Sequence, residues 1–98
     1  MEKYALLARV EAKPGKEADV EQFLKDAQAL AEEEEETISW YAFKIGPSTF
    51  GIYDTFTAEA GREAHLNGKI AAALMVHAEA LLSAPPTIEK AEILAVKK

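Results

Sequence analysis

The sequence predicts an α+β domain: one four-stranded antiparallel sheet with its helices gathered on a single face. Two observations predict it. Segments of strand-like and helix-like periodicity follow one another as strand, helix, strand, strand, helix, strand. The two middle strands, 38–45 and 50–56, are separated only by the turn around Gly46-Pro47-Ser48-Thr49, which makes them a hairpin. Right-handed crossovers then put both long helices on the same side of the sheet.

Taken in order, residues 4–12 (YALLARVEA) read as a strand that ends at Lys13-Pro14-Gly15, a turn signal. A helix is expected over about 16–35, because Val20, Phe23, Leu24, Ala27, Leu30 and Ala31 recur at three- and four-residue steps. It runs into five consecutive glutamates, Glu32 to Glu36, which oppose the helix dipole and should fray the last turn into a solvated acidic end. After the hairpin, Thr57 is the expected N-cap of a short helix over 58–66. Asn67-Gly68 breaks it, and a second long helix covers about 69–83. Ala84-Pro85-Pro86 stops that helix, and 87–96 closes the chain as a strand. The order is the ferredoxin-like βαββαβ pattern, expected to occupy residues 1–98 as a single domain.

Composition narrows the function. The net charge is −6 and the only adjacent cations are Lys97-Lys98, so the concentrated positive surface that nucleic acid requires is missing. No apolar run approaches the ~20 residues needed to cross a bilayer. Met1-Glu2-Lys3 leads into a run too short and interrupted for a signal peptide, and with no cysteine the chain fits a reducing cytoplasm.

The hairpin carries the most information. One face of 38–45 holds Ile38, Trp40, Ala42 and Lys44, the other Ser39, Tyr41, Phe43 and Ile45. In 50–56 the split is Phe50, Ile52, Asp54 and Phe56 against Gly51, Tyr53 and Thr55. Both faces are apolar, whereas a sheet with one wet face should be apolar on one side only. The helices cover one side. A second copy of the chain, joined as a two-fold homodimer, is expected to cover the other.

With that order in hand, the sequence resembles the antibiotic biosynthesis monooxygenase domain family of dimeric α+β barrels. Three places carry the likeness: the first strand running into Lys13-Pro14-Gly15-Lys16-Glu17 and an Ala/Glu-rich helix; the third strand feeding Thr57-Ala58-Glu59-Ala60 and then Ala64-His65-Leu66; and Leu81-Leu82 followed by Ala84-Pro85-Pro86 and the last strand. The resemblance implies a homodimer with a pocket between sheet and helices. It also implies oxygenation of a quinol- or anthrone-like aromatic without metal, flavin or haem. Phe56 stands where the family commonly has tryptophan. The first strand has Ala8-Arg9 rather than the asparagine of haem-degrading members, and Leu74 lies near where their histidine would align, so haem degradation is not implied.

The candidate site residues follow. His65, which the resemblance puts at the pocket rim, has the residue type to serve as base or hydrogen-bond partner for a phenolic proton. Asp54, set by strand parity among apolar neighbours, is a second catalytic candidate; Lys44, of the same parity on the next strand, is its expected ion-pair partner. Trp40, Tyr53, Phe56 and His77 are candidate walls for a small aromatic substrate. No metal is expected: the two histidines are twelve residues apart with no cysteine or completing acid. The same fold also serves a non-catalytic small-molecule-binding or stress-response protein, since fold alone does not fix function.

Overall fold

The computed structural model of the protein describes residues 2–98; Met1, at the head of the run considered for a signal peptide, lies outside them. The elements are β1 (Tyr4–Glu11), α1 (Glu17–Glu32), β2 (Thr37–Lys44), β3 (Thr49–Phe56), α2 (Glu59–Leu66), α3 (Lys69–Leu81) and β4 (Thr87–Glu92). The strands pair antiparallel in the order β2-β3-β1-β4, with the helices on one face, a ferredoxin-like α+β fold. Among the described residues no helix is long and apolar enough to cross a membrane.

Each element follows from its local chemistry. The turn into α1 needs Gly15, whose φ of 86° is in the left-handed region that side chains avoid. Along α1 the buried residues Val20, Leu24, Ala27 and Ala31 fall on one stripe. Val20 and Leu24 meet Val10, Phe50 and Ile52 from the sheet and Leu74 from α3, Ala27 and Ala31 form a second cluster with Ile70, and Trp40 packs against both. Burying a Phe or Ile side chain this completely stabilises the fold by roughly 1.5–3 kcal/mol.

Three boundaries differ from expectation. Helix α1 stops at Glu32, so the rest of the glutamate run is a turn whose Glu33 and Glu34 amides close the helix by donating to Leu30 and Ala31. The N-cap of α2 is Ala58 rather than Thr57, and no side chain caps it. The last strand ends at Glu92, not at 96, because Glu92 pairs with Tyr4, the first residue of β1. One further amide, Ile93 N–H, donates to Lys3, and among the described residues no partner strand continues beyond it.

The face without helices is apolar at its β2 side. Tyr41, Phe43 and Ile45 are 58%, 38% and 52% exposed, and Tyr41 stacks on Tyr53 with ring centroids 6.5 Å apart. Phe43 lies so close over Gly51 that a Cβ there would fall 2.4 Å from its ring, which is why β3 carries a glycine at mid-strand. At the end of the same face Glu2 accepts hydrogen bonds from Ser39 and Thr55 and pairs with Lys98.

Candidate active site

Asp54 projects from β3 toward the helices between Ile52 and Phe56. Its cross-strand neighbours are Trp40 on β2 and Leu6 on β1. It is 1% exposed, and no side chain of the sheet is hydrogen-bonded to it among the described residues. The polar contact comes from above, from α2. That helix is anchored by Arg62, whose Nη1 donates to the carbonyls of Ala5 (3.4 Å) and Ala91 (3.0 Å) while its guanidinium lies 5.2 Å from the centre of the Tyr4 ring. His65, three residues on and therefore on the same helix face, is set down on the sheet.

His65 is 8% exposed and spans two carboxylates. Its Nε2 stands 2.8 Å from Asp54 Oδ2 and its Nδ1 stands 2.6 Å from Glu34 Oε1. Burial opposes the charged ring, but Asp54 and then Glu34 outweigh it and raise the pKa to about 9. At neutral pH the group is an imidazolium between two acids. Phe56, fully buried, tilts against the ring at a centroid distance of 5.6 Å.

A cavity of about 240 Å³ opens beside this pair, between the sheet and α2–α3. Leu6, Ala8 and Ile52 form its floor, Ile70, Leu74 and Met75 its roof, and Asp54 and His65 its polar end. Neither Asp54 oxygen has a well-aligned hydrogen-bond partner among the described residues; Oδ2 has the charged contact with His65 Nε2, and Oδ1 has none. A buried, unpartnered acceptor at the end of an apolar cavity suits a ligand that is mostly hydrocarbon with one O–H or N–H donor.

The structure gathers some of the expected site residues and separates others. Asp54, His65 and Phe56 come together. Trp40 is beside Asp54 by register, with its ring turned into the core under α1 and its Nε1 buried without a partner. Tyr53 points to the opposite face, where it stacks on Tyr41. His77 is exposed on α3 against Phe23, ring centroids 5.5 Å apart, and does not line the cavity. The expected pairing of Asp54 with Lys44 is corrected: Lys44 is opposite Phe50 and pairs with Glu21 at 3.7 Å. Two residues that sequence reasoning missed are Glu34 and Arg62. Among the described residues no cluster of His, Cys, Asp and Glu is arranged to hold a metal ion; the two carboxylates meet different nitrogens of the ring.

The fold and this site define a ferredoxin-like α+β protein with a buried carboxylate–imidazolium pair at the end of an apolar cavity. No protein-family model matches the chain, and no curated protein matches it. Among solved structures it is similar to a Nitrosomonas europaea protein of unknown function, with 59% identity, a TM-score of 0.97, and coverage of 100% of this chain and 95% of that one. The chain belongs to the family of that Nitrosomonas protein. A Pseudomonas aeruginosa protein shares the fold at 22% identity and a TM-score of 0.83, with 97% of each chain covered. So does a candidate antibiotic biosynthesis monooxygenase from Caulobacter crescentus, at 13% identity and a TM-score of 0.81, covering 96% of this chain and 92% of that one.

Proposed function

We propose that this protein is a cytoplasmic, homodimeric monooxygenase that acts without a cofactor on a small electron-rich aromatic, quinol- or anthrone-like, bound between sheet and helices. The observation that carries the reading is Asp54: a buried carboxylate with a free oxygen at the polar end of an apolar cavity, beside a histidine that carries positive charge. The fold of the Caulobacter candidate monooxygenase is consistent with it.

In this reading the substrate hydroxyl gives its proton to Asp54 Oδ1. The imidazolium of His65 serves as the partner that orients Asp54 in a dry site, rather than acting as the base itself. The resulting phenolate reduces dioxygen by one electron, and the radical pair combines at a ring carbon to form a hydroperoxide anion. Asp54 returns the proton. The hydroperoxide then loses water, leaving one oxygen atom on the ring as a carbonyl and the other in the water. Dioxygen is the oxidant, and the electrons come from the substrate.

The test is oxygen uptake with a panel of hydroquinones and anthrones, comparing the wild-type protein with His65→Ala. Uptake above the autoxidation rate, lost in the variant, supports the reading; a wild-type rate equal to autoxidation across the panel overturns it. A second reading, a small-molecule-binding protein without turnover, is favoured by one observation: both nitrogens of His65 are already engaged by protein acids. A ligand that co-purifies and is never consumed would select it.

The dimer in this proposal forms through the helix-free face around Tyr41, Phe43 and Ile45, whose exposure is unusual for a monomer.

A further inference from the structure

The glutamate run is not a uniform solvated surface. Glu34 is turned inward, with its side chain only 20% exposed, and three features hold it there. Its amide donates to Ala31 as α1 ends. The Thr37 hydroxyl donates to the same Oε1 that meets His65, at 2.8 Å. Two glycines face the turn, Gly61 in α2 and Gly68 just before α3: a Cβ on Gly61 would stand 3.1 Å from Glu36 Cβ, and one on Gly68 would stand 3.4 Å from Glu34 Oε2. The acidic turn therefore docks in a notch that side chains would fill.

The docking has a chemical consequence. An imidazole ring on a helix can rotate about its side-chain bonds, and one contact at Nε2 does not fix it. A second contact at Nδ1, from a carboxylate that is itself braced, does. We propose that Glu34 is a positioning residue: it holds the His65 ring from behind so that Nε2 faces Asp54 Oδ2, which leaves Asp54 Oδ1 as the acceptor directed to the ligand. This inference rests on the site described under Proposed function for its purpose, but its physical content, the grip of Glu34 on His65, is independent of turnover.

The other charged groups around His65 do not substitute for Glu34. Asp54 approaches from β3 on the other nitrogen. Arg62 on α2 is engaged with Ala5, Ala91 and Glu59, and Glu63 pairs with Lys90 of β4. Lys69 at the start of α3 pairs with Glu33. Glu35 and Glu36 belong to the same turn, but only Glu34 contacts the ring.

The experiment is an NMR titration of the His65 ring nitrogens in the ligand-free full chain, in wild type, Glu34→Gln, Glu34→Ala and Thr37→Val, with thermal unfolding to verify that each folds. Glu34→Gln keeps an acceptor for Nδ1 but removes the charge. It should lower the His65 midpoint by roughly one pH unit while the Nε2 proton keeps its hydrogen-bonded shift. Glu34→Ala should lower the midpoint at least as far and also lose that shift. Thr37→Val, which removes only the brace, should move both readouts in the same direction by less. Wild-type-like ring shifts and midpoint in Glu34→Ala would overturn the inference. Oxygen uptake is scored separately: no uptake by the wild type, with the ring shifts still lost in Glu34→Ala, ends the monooxygenase reading and leaves the role of Glu34 standing.

Discussion

Trp40 and Asp54 sit directly opposite each other on β2 and β3, and both bury polar atoms that lack a hydrogen bond among the described residues: the indole Nε1 of one and both carboxylate oxygens of the other. Of the two oxygens, Oδ2 has the ion-pair contact with His65 and Oδ1 has none. A donor and an acceptor left unpaired at one register position, each at a cost of about 1–3 kcal/mol, are hard to explain by folding stability. A cavity at whose end the acceptor lies gives that acceptor a use.

Asp54→Asn tests this use. The amide retains the shape but cannot accept a proton at neutral pH, so oxygen uptake should fall by on the order of 10²-fold. The His65 midpoint should fall as well, because the largest favourable partner of the charged ring is gone. Uptake unchanged in this variant would remove Asp54 from the chemistry.

Stability should depend on pH through His65. Its folded pKa, about 9, lies above its unfolded value near 6.5. The contribution is therefore fully present below about pH 6.5 and is lost as pH rises through 9. The difference of roughly 3 kcal/mol should be visible in urea unfolding between pH 6 and pH 10. His65→Gln should flatten that part of the profile, and an equally steep loss in the variant would assign the effect to other groups.

Phe56→Trp, which restores the residue common in the family the sequence resembles, should destabilise this chain. The ring at 56 is fully buried and already touches His65, so the larger indole must displace it. A loss of about 1–3 kcal/mol is expected, read as a drop in Tm of roughly 4–8 °C per kcal/mol. A Tm equal to or above wild type would mean that the cavity can absorb the extra ring.

Phe43→Glu addresses the dimer. The side chain is partly exposed on the helix-free face, so the monomer should fold normally. Sedimentation at micromolar concentration should show a dimer for the wild type and a monomer for the variant. A wild-type monomer would refute the pairing of these faces.

The order of elements was legible from the alternation in the hairpin, the three- and four-residue steps of α1, and the breaks at Lys13-Pro14-Gly15, Asn67-Gly68 and Ala84-Pro85-Pro86. Strand parity also foretold that Asp54 would be buried between Ile52 and Phe56, and that Tyr41 and Trp40 would part to opposite faces. The partner of Asp54 was not legible. Lys44 has the right parity, but Trp40 takes the position opposite Asp54, and Lys44 is four residues further along β2, about 13 Å away. The inward turn of Glu34 was hidden for a different reason. Nothing local distinguishes it from its neighbours; the distinction is made by residues some thirty positions later, His65, which meets its Oε1, and Gly68, which faces its Oε2. Parity likewise indicated that Tyr53 and Asp54 look to opposite sides, and Tyr53 stacks on Tyr41.

The sheet has two unpaired margins, and they are not alike. The β4 margin alternates charge in Glu89, Lys90 and Glu92, which discourages another strand from adding to it. The β2 margin presents Tyr41, Ala42 and Phe43, and its protection against such addition is the irregularity in pairing between Thr37 and Ser39. Self-association into fibrils, if it is provoked by heat or dilution, should therefore start from β2, and a lysine introduced at Ala42 should suppress it without touching the cavity.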